Sequence, residues 1–326
     1  MTHTIGISSG DPSGIGLEVI LKAMPFVIRN ARWVLYTDRS TFERHDIRFN
    51  SGISCRWINE PNEAKNLDVL HLIEVPGAGC PIPWGDLQSA AGERALAYLR
   101  SASDAALQKQ IAGIVTAPLH KAAVGPSFKG QTEFLAGQAN TKSFAMAFFT
   151  PSFKVVLATV HLPLRDALSR LSIELYVNLI RLVSAELKRF GFFDPSIAVA
   201  GVNPHAGEQG MFGSEESEIL SPAVEECFNE GIRVSGPFSA DSLYHRAHTG
   251  EFDVVIAPYH DQGLAPVKVI APGQSTNVTL GLPYVRTSPD HGTALDIAGK
   301  GLANPEGMIA ALKCAIDLCN RSQLIR

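Results

Sequence analysis

Short apolar runs rich in β-branched residues alternate along the chain with longer stretches of helical period. The runs predict strands at Thr4–Ser8, Trp33–Tyr36, Val69–Ile73, Ile111–Thr116, Ala145–Phe149, Val155–Val160, Ile197–Val202, Val254–Ala257 and Asn277–Leu280. Several, such as IAGIV and VVIA, are apolar at consecutive positions, as in strands covered on both faces. A largely parallel α/β sheet is expected. The clearest helix is Ile173–Phe190, where Ile173, Val177, Ile180, Ser184 and Leu187 share one face and Ser172 offers an N-cap. Further helices are expected at Gly14–Ala23, Leu87–Gln108, Glu215–Asn229 and Glu306–Cys319.

With 326 residues, 45% of them hydrophobic, the chain has material for about two domains. No Gly/Ser/Pro-rich linker separates two halves, so the chain is expected to cross between domains more than once. A net charge of -4 from mixed acids and bases does not suit a nucleic-acid binder, which concentrates Lys and Arg. Any anionic ligand must be held by a few placed cations. The cysteines Cys55, Cys80, Cys227, Cys314 and Cys319 are sparse, odd in number and without CxxC spacing, which argues against a disulfide framework or a thiolate zinc site. No apolar run reaches the roughly 18 residues of a membrane span. The start, MTHTIGISSGDP, has no basic segment leading into an apolar one. A cytoplasmic protein with no membrane or nucleic-acid partner is expected.

The unusual residues lie in the segments between elements: SSGDPSGIG, TAPLHK, GQTEF, TVHLPLRD, GVNPHAGE, GPFSAD, PYHDQG and RTSPDHGTALD. In open α/β sheets ligands collect beyond the carboxyl ends of strands. His161, His205 and His260 each follow a predicted parallel strand. Any one alone reads as a loop cap; three in the same strand-end position read as a ligand set that leaves a position open for substrate. Asp241, Asp261 and Glu208 lie near them in sequence and suit supporting or proton-transfer roles. His3, His45, His71, His245 and His248 read as surface or packing residues, and His120 and His291 sit in motif loops without a second ligand at fixed spacing. The loop GDPSGIG lacks both the GK[ST] ending of a P-loop and the GxGxxG spacing of a Rossmann turn, so by itself it reads as a tight strand-to-helix turn. Lys268, Asn277 and Arg286, with Thr132 and Gln131, combine two cations, two amides and a hydroxyl, a set able to hold a phosphate or carboxylate.

Taken together, SGDPSGIGLEV, TAPLHK, GQTEFLAG, HLPLRDA, NPHAGEQGMFGSEE, YHDQGLAPVK and NVTLGLPYVRTSPDHGTALDIAG resemble the 4-hydroxythreonine-4-phosphate dehydrogenases of pyridoxal phosphate synthesis, from Ser9 to Gly299. GDPSGIGLEV and DHGTALDIAGKGLANP also look like segments of isocitrate and isopropylmalate dehydrogenases. The resemblance implies an isopropylmalate-dehydrogenase-like α/β fold with two α/β/α domains, residues 1–128 plus 272–326 and residues 129–271, with the active site in the cleft and built at a homodimer interface. It implies NAD along His291, Gly292 and Asp296, and one divalent ion (zinc, magnesium or cobalt) on His161, His205 and His260. It places Thr132, Lys268, Asn277 and Arg286 at substrate-binding positions.

The implied reaction is NAD-linked oxidation, with decarboxylation, of 4-phosphohydroxy-L-threonine to 3-amino-2-oxopropyl phosphate. Asp241, Asp261 and Lys268 are the candidates for proton transfer. Relatives of this family oxidise other hydroxy-acid phosphates and cis-dihydrodiols of aromatic acids. One position departs from the pattern: Gln131 stands where the family's GHTEF segment has His. A neutral amide in place of a charged imidazole forgoes about 1–2 kcal/mol of phosphate affinity. Two other classes are compatible with the residues. A metal-dependent hydrolase would use the three histidines but not the DHGTALD loop, and a non-catalytic metabolite-binding protein would need no open metal position.

Overall fold

The computed structural model describes residues 2–76 and 82–323; Cys80 lies outside the described residues. Twelve strands are β1 (Thr4–Ser8), β2 (Arg32–Thr37), β3 (Cys55–Ile58), β4 (Leu70–Glu74), β5 (Gly113–Thr116), β6 (Ala145–Phe149), β7 (Lys154–Leu157), β8 (Ile197–Ala200), β9 (Val234–Phe238), β10 (Val254–Ala257), β11 (Thr276–Leu280) and β12 (Val285–Pro289). The chain forms two compact units: Met1–Lys142 with Leu282–Asn320, and Ser143–Gly281 with the last turn of the C-terminal helix from Arg321. The crossings fall later than the expected 128 and 272. Helix Gln131–Gln138 buries Leu135 and Ala136 in the first unit's core, and β11 pairs with β6 in the second.

In the first unit the strand order is β3-β4-β2-β1-β5-β12, parallel throughout. Its helices include Gly16–Ala23, Arg39–Phe49, Ser89–Leu107 and Glu306–Gln323. One core layer brings Tyr98, Leu99 and Ala102 of the long helix onto Val34, Tyr36 and Ile114 of the sheet. Alanines dominate the inner face of that helix, so it lies close to the strands. Gly92 goes further: a Cβ there would come within 2.2 Å of the Ala123 backbone.

In the second unit the order is β11-β6-β7-β10-β8-β9. Strands β7, β10, β8 and β9 are parallel, but β6 runs antiparallel to both neighbours. The sheet is thus largely parallel as expected, with β6 the one reversed strand of this half. The cause is local: in the turn TPSF the Thr150 hydroxyl donates to the Phe153 carbonyl at 2.7 Å, and the chain reverses between AMAFF and KVVL as a hairpin. Helix Ile173–Arg189 forms as expected, with the Ser172 hydroxyl accepting from the Leu175 amide at 3.1 Å. A second layer packs Leu243, Tyr244 and Ala247 of helix Ala240–His248 against Val155, Ala198 and Val255.

Candidate active site

The second unit carries the three histidines. The strands that precede them, β7, β10 and β8, are adjacent and mutually parallel, so His161, His260 and His205 emerge from the same end of the sheet. Cross-loop hydrogen bonds tie these ends together. Thr159 Oγ1 donates to the Pro258 carbonyl at 2.7 Å, and Gln262 Nε2 donates to the Gly201 carbonyl at 2.8 Å. The His161 and His260 rings lie 5.7 Å apart between centroids. His260 is the first residue of helix His260–Ile270, not a loop residue as its YHDQG context suggests. Its Nδ1 lies 2.7 Å from Asp261 Oδ1. With Nδ1–H donating there, the Nε2 lone pair is the one available to a ligand. His205 sits in a separate turn, its ring 6.3 Å from Phe212. Among the described residues no group of three or more His, Cys, Asp or Glu side chains is gathered as a metal-holding set within the chain.

Two of these histidines occupy a backbone region that L-residues avoid: φ is 41° at His161 and 53° at His205. Such conformations cluster at functional sites, where the surroundings over-determine them. Neutral imidazoles of this kind suit zinc or cobalt, and the donor chemistry fits a divalent ion. Asp241 is exposed near the His205 turn. The Ser239 hydroxyl, donating at 2.7 Å, lowers its pKa. Glu208 lies within the His205 turn and Lys268 in the last turn of helix His260–Ile270, both exposed; Asn277 is half-buried on β11.

The first unit holds the other candidates. Arg286, on β12, is 3% exposed, so its charge is placed by the fold. The neighbouring strand β5 supplies Thr116, whose Oγ1 accepts from Arg286 Nη2 at 2.7 Å and Nε at 3.2 Å. The GQTEF segment is a helix, Gln131–Gln138, not a loop. From its first turn, Gln131 Nε2 donates to the Ala117 carbonyl at 3.0 Å, while Oε1 accepts from Arg286 Nη2 at 3.4 Å. Gln131 therefore steadies the guanidinium. Thr132 is buried beside it in sequence. Burial lowers the Arg286 pKa to about 10, which still leaves it charged at neutral pH.

The GDPSGIG segment is the tight turn expected of it: Asp11 Oδ1 accepts from the Ser13 amide at 2.9 Å. It also packs against the segment after β12, where the Ile15 amide donates to the Thr293 carbonyl at 3.0 Å. A Cβ on Gly14 would lie 2.8 Å from that same carbonyl oxygen. In this segment Gly292 has open space where a Cβ would stand, Asp296 is exposed, and His291 Nε2 is buried without a hydrogen-bond partner. Open backbone, a free carboxylate and a buried unsatisfied nitrogen fit a nucleotide lying along this loop.

Residue-by-residue reading of the sequence missed three groups. Thr116 was passed over as the last residue of a strand, although it opens the TAPLHK motif. Asp11 is 2% exposed, and burial raises its pKa. Glu216 is a buried carboxylate in GSEESEIL, a segment whose acids resemble a solvated helix face.

These features define an α/β dehydrogenase with an isopropylmalate-dehydrogenase-like fold. In fold it is similar to a β-decarboxylating dehydrogenase of Thermococcus kodakarensis, with TM-score 0.51 and 16% identity over 98% of this chain and 84% of that one. The chain belongs to the family described as pyridoxal phosphate biosynthetic protein PdxA, which matches residues 29–315. It is 41% identical to the 4-hydroxythreonine-4-phosphate dehydrogenase of Desulforapulum autotrophicum over 95% of this chain and 94% of that protein. It is 38% identical to the D-threonate 4-phosphate dehydrogenase of Salmonella typhimurium over 97% and 99%. The crystal structure of a 4-hydroxythreonine-4-phosphate dehydrogenase from Klebsiella pneumoniae has TM-score 0.89 and 37% identity, covering 98% of both chains.

Proposed function

We propose that this chain oxidises the secondary alcohol of 4-phosphohydroxy-L-threonine with NAD, and that the resulting keto acid loses carbon dioxide to give 3-amino-2-oxopropyl phosphate. The observation that carries the reading is the emergence of His161, His260 and His205 from the ends of three adjacent parallel strands. We assign these imidazoles to a single divalent ion, zinc, magnesium or cobalt, and the His291–Asp296 segment to NAD. When bound, the ion supplies Lewis acidity to the substrate oxygen and NAD supplies the hydride acceptor.

The chain's own residues do the rest. Arg286, steadied by Thr116 and Gln131, binds the anionic end of the substrate, with Thr132, Lys268 and Asn277 as further anchors. Remote contacts of this kind orient the reacting carbon. Asp261 Oδ1 fixes the His260 ring by accepting from Nδ1. Asp241, ionised at neutral pH, and Asp261 and Lys268 are the groups we assign to proton transfer. Gly292 lets the protein backbone approach the cofactor closely, and Asp296 accepts from its ribose. We further infer a homodimer. Leu162 and Leu164 beside His161, and Met211 and Phe212 after the His205 turn, are exposed apolar side chains that a second copy would cover.

Among the described residues no helix is long and apolar enough to cross a membrane. A second substrate, D-threonate 4-phosphate, is favoured by the likeness to the Salmonella protein. Both esters, their unphosphorylated forms and an aromatic cis-dihydrodiol should be compared for NAD reduction, with zinc, magnesium or cobalt added to chelator-treated protein. Turnover confined to one phosphate ester, and abolished by chelation, is expected. Equal turnover without the phosphate, or turnover indifferent to chelation, would overturn the proposal.

A further inference from the structure

The turn that carries His205 is the most unusual stretch of backbone in the second unit. From His205 to Gln209, φ is 53°, 52°, 79°, 40° and 56°, so five successive residues are left-handed and only Gly207 among them is a glycine. Left-handed residues normally occur singly, because Cβ crowds the following carbonyl. A run of them must be held from outside. Where the turn joins its flanks, Ala206 N–H donates to the Asn203 carbonyl at 3.1 Å, Met211 N–H to the Glu208 carbonyl at 3.2 Å and Phe212 N–H to the Gly207 carbonyl at 3.1 Å.

The outside partner is Glu216, 5% exposed, at the start of the π-helical stretch Glu216–Leu220. Its Oε1 accepts from the amides of Val202 at 2.8 Å and Asn203 at 2.7 Å. Its Oε2 accepts from Asn203 Nδ2 at 3.0 Å, and that amide is held again by Glu215 Oε2 at 2.6 Å. The carboxylate also fills the inside of the turn. A Cβ on Gly207 would lie 2.8 Å from Oε2, so a side chain there would displace the carboxylate. Three donors thus converge on one buried carboxylate immediately before the residue whose ring must be aimed. The His205 side chain itself is exposed, so its direction is set by the backbone beneath it.

We propose that Glu216 is a positioning residue that clamps the left-handed turn and so aims the His205 imidazole at the metal position. This rests on the reading of His205 as a metal ligand. Glu216 does not touch substrate, cofactor or metal; it acts through Asn203 and the backbone.

The test uses the full chain stripped with chelator and titrated with cobalt(II) alone, whose visible spectrum reports ligation. Wild type, His205→Ala, Glu216→Gln and Glu216→Ala are compared, with hydrogen exchange of the 202–209 amides as a second readout. Supporting groups behind metal ligands typically contribute about 10- to 100-fold to metal affinity. Glu216→Gln keeps one acceptor oxygen but turns an NH2 toward existing donors, and should weaken cobalt binding by about tenfold. Glu216→Ala should weaken it by about 100-fold and speed exchange in the turn. In Glu216→Gln, saturating cobalt should restore kcat while the KM for NAD stays at the wild-type value, an outcome that simple loss of folded protein does not produce. Should Glu216→Ala fail to fold, Glu216→Gln alone decides. Wild-type cobalt affinity in Glu216→Gln, with affinity lost in His205→Ala, overturns the positioning role alone. Undiminished binding in His205→Ala removes the ligand reading and this inference with it.

Discussion

Gln131→Glu is the sharpest probe of the anion site, because it changes charge without changing shape. In the protein as it stands, Gln131 Oε1 faces Arg286 Nη2 at 3.4 Å and Nε2 donates to the Ala117 carbonyl at 3.0 Å. The substitution places a carboxylate oxygen against a buried guanidinium. Opposite unit charges about 4 Å apart attract by about 4 kcal/mol at an effective dielectric of ~20. The incoming anion must compete with that internal partner and also meets its negative charge. A charged hydrogen bond is worth about 1.5–3 kcal/mol net, so binding should weaken by roughly 10- to 150-fold, at 1.4 kcal/mol per factor of ten. The loss of the donor to Ala117 offsets part of the new attraction, so thermal stability should change little. The assay is steady-state kinetics with the phosphorylated substrate at fixed metal and saturating NAD, between pH 6 and 8. The guanidinium keeps the new carboxylate ionised throughout that range, so the rise in KM should be flat with pH. The KM for NAD should not move. A KM for the phosphate ester within about threefold of wild type (about 0.7 kcal/mol) would show that Arg286 does not anchor the substrate anion.

Other outcomes can be checked more briefly. Gln131→His should lower the KM for a phosphate ester by up to about tenfold, an order set by one charge-assisted contact, and only toward pH 6, where imidazole is protonated; an unchanged constant at every pH would count against a phosphate near position 131. His161→Ala, His205→Ala and His260→Ala should each lose metal and activity with the fold intact, and full metal content in all three would refute the shared site. His45 is fully buried, with Nδ1 2.7 Å from the Thr41 carbonyl and Nε2 accepting from Trp84 Nε1 at 2.9 Å, and burial lowers its pKa to about 4. The unfolded chain therefore binds the extra proton first: the stability held above pH 6.5 is lost as pH falls toward 4, by about 3 kcal/mol at 1.36 kcal/mol per pK unit. Urea melts followed by tryptophan fluorescence should show that loss in wild type and a smaller one in His45→Gln; identical pH profiles would contradict it. Asp296→Ser should narrow the preference for NAD over NADP in kcat/KM, and no change would dissociate Asp296 from the ribose.

Much of the architecture was legible in local pattern. Strands such as Thr4–Ser8, Ala145–Phe149 and Val254–Ala257 coincide with apolar runs, because burial on both faces demands apolar residues at successive positions. Helix Ile173–Arg189 was readable from its single apolar face and its serine cap. The strands that escaped notice, Cys55–Ile58, Val234–Phe238 and Val285–Pro289, carry Arg56, Ser235, Gly236 and Arg286. Their pattern is broken by residues that serve the edge, the bend or the site. Helix Arg39–Phe49 escaped for the opposite reason: it is mostly polar and is anchored by Asp38, whose carboxylate accepts from the Thr41 amide at 2.9 Å.

The sequence by itself determined the alternation of elements, the position of each histidine just past a strand, and the motifs that tie the chain to its family, since each of these lies within a few residues of chain. Tertiary structure alone decided which strands are neighbours. It set β7, β10 and β8 side by side, and β5 beside β12, so that Thr116 meets a guanidinium 170 residues away in the chain. It turned Glu216 from a residue of a charged segment into a buried side chain, and enclosed the Arg286 guanidinium. The reason is physical. Local pattern encodes which face of an element prefers water, while the environment of a charge depends on partners brought in from far along the chain.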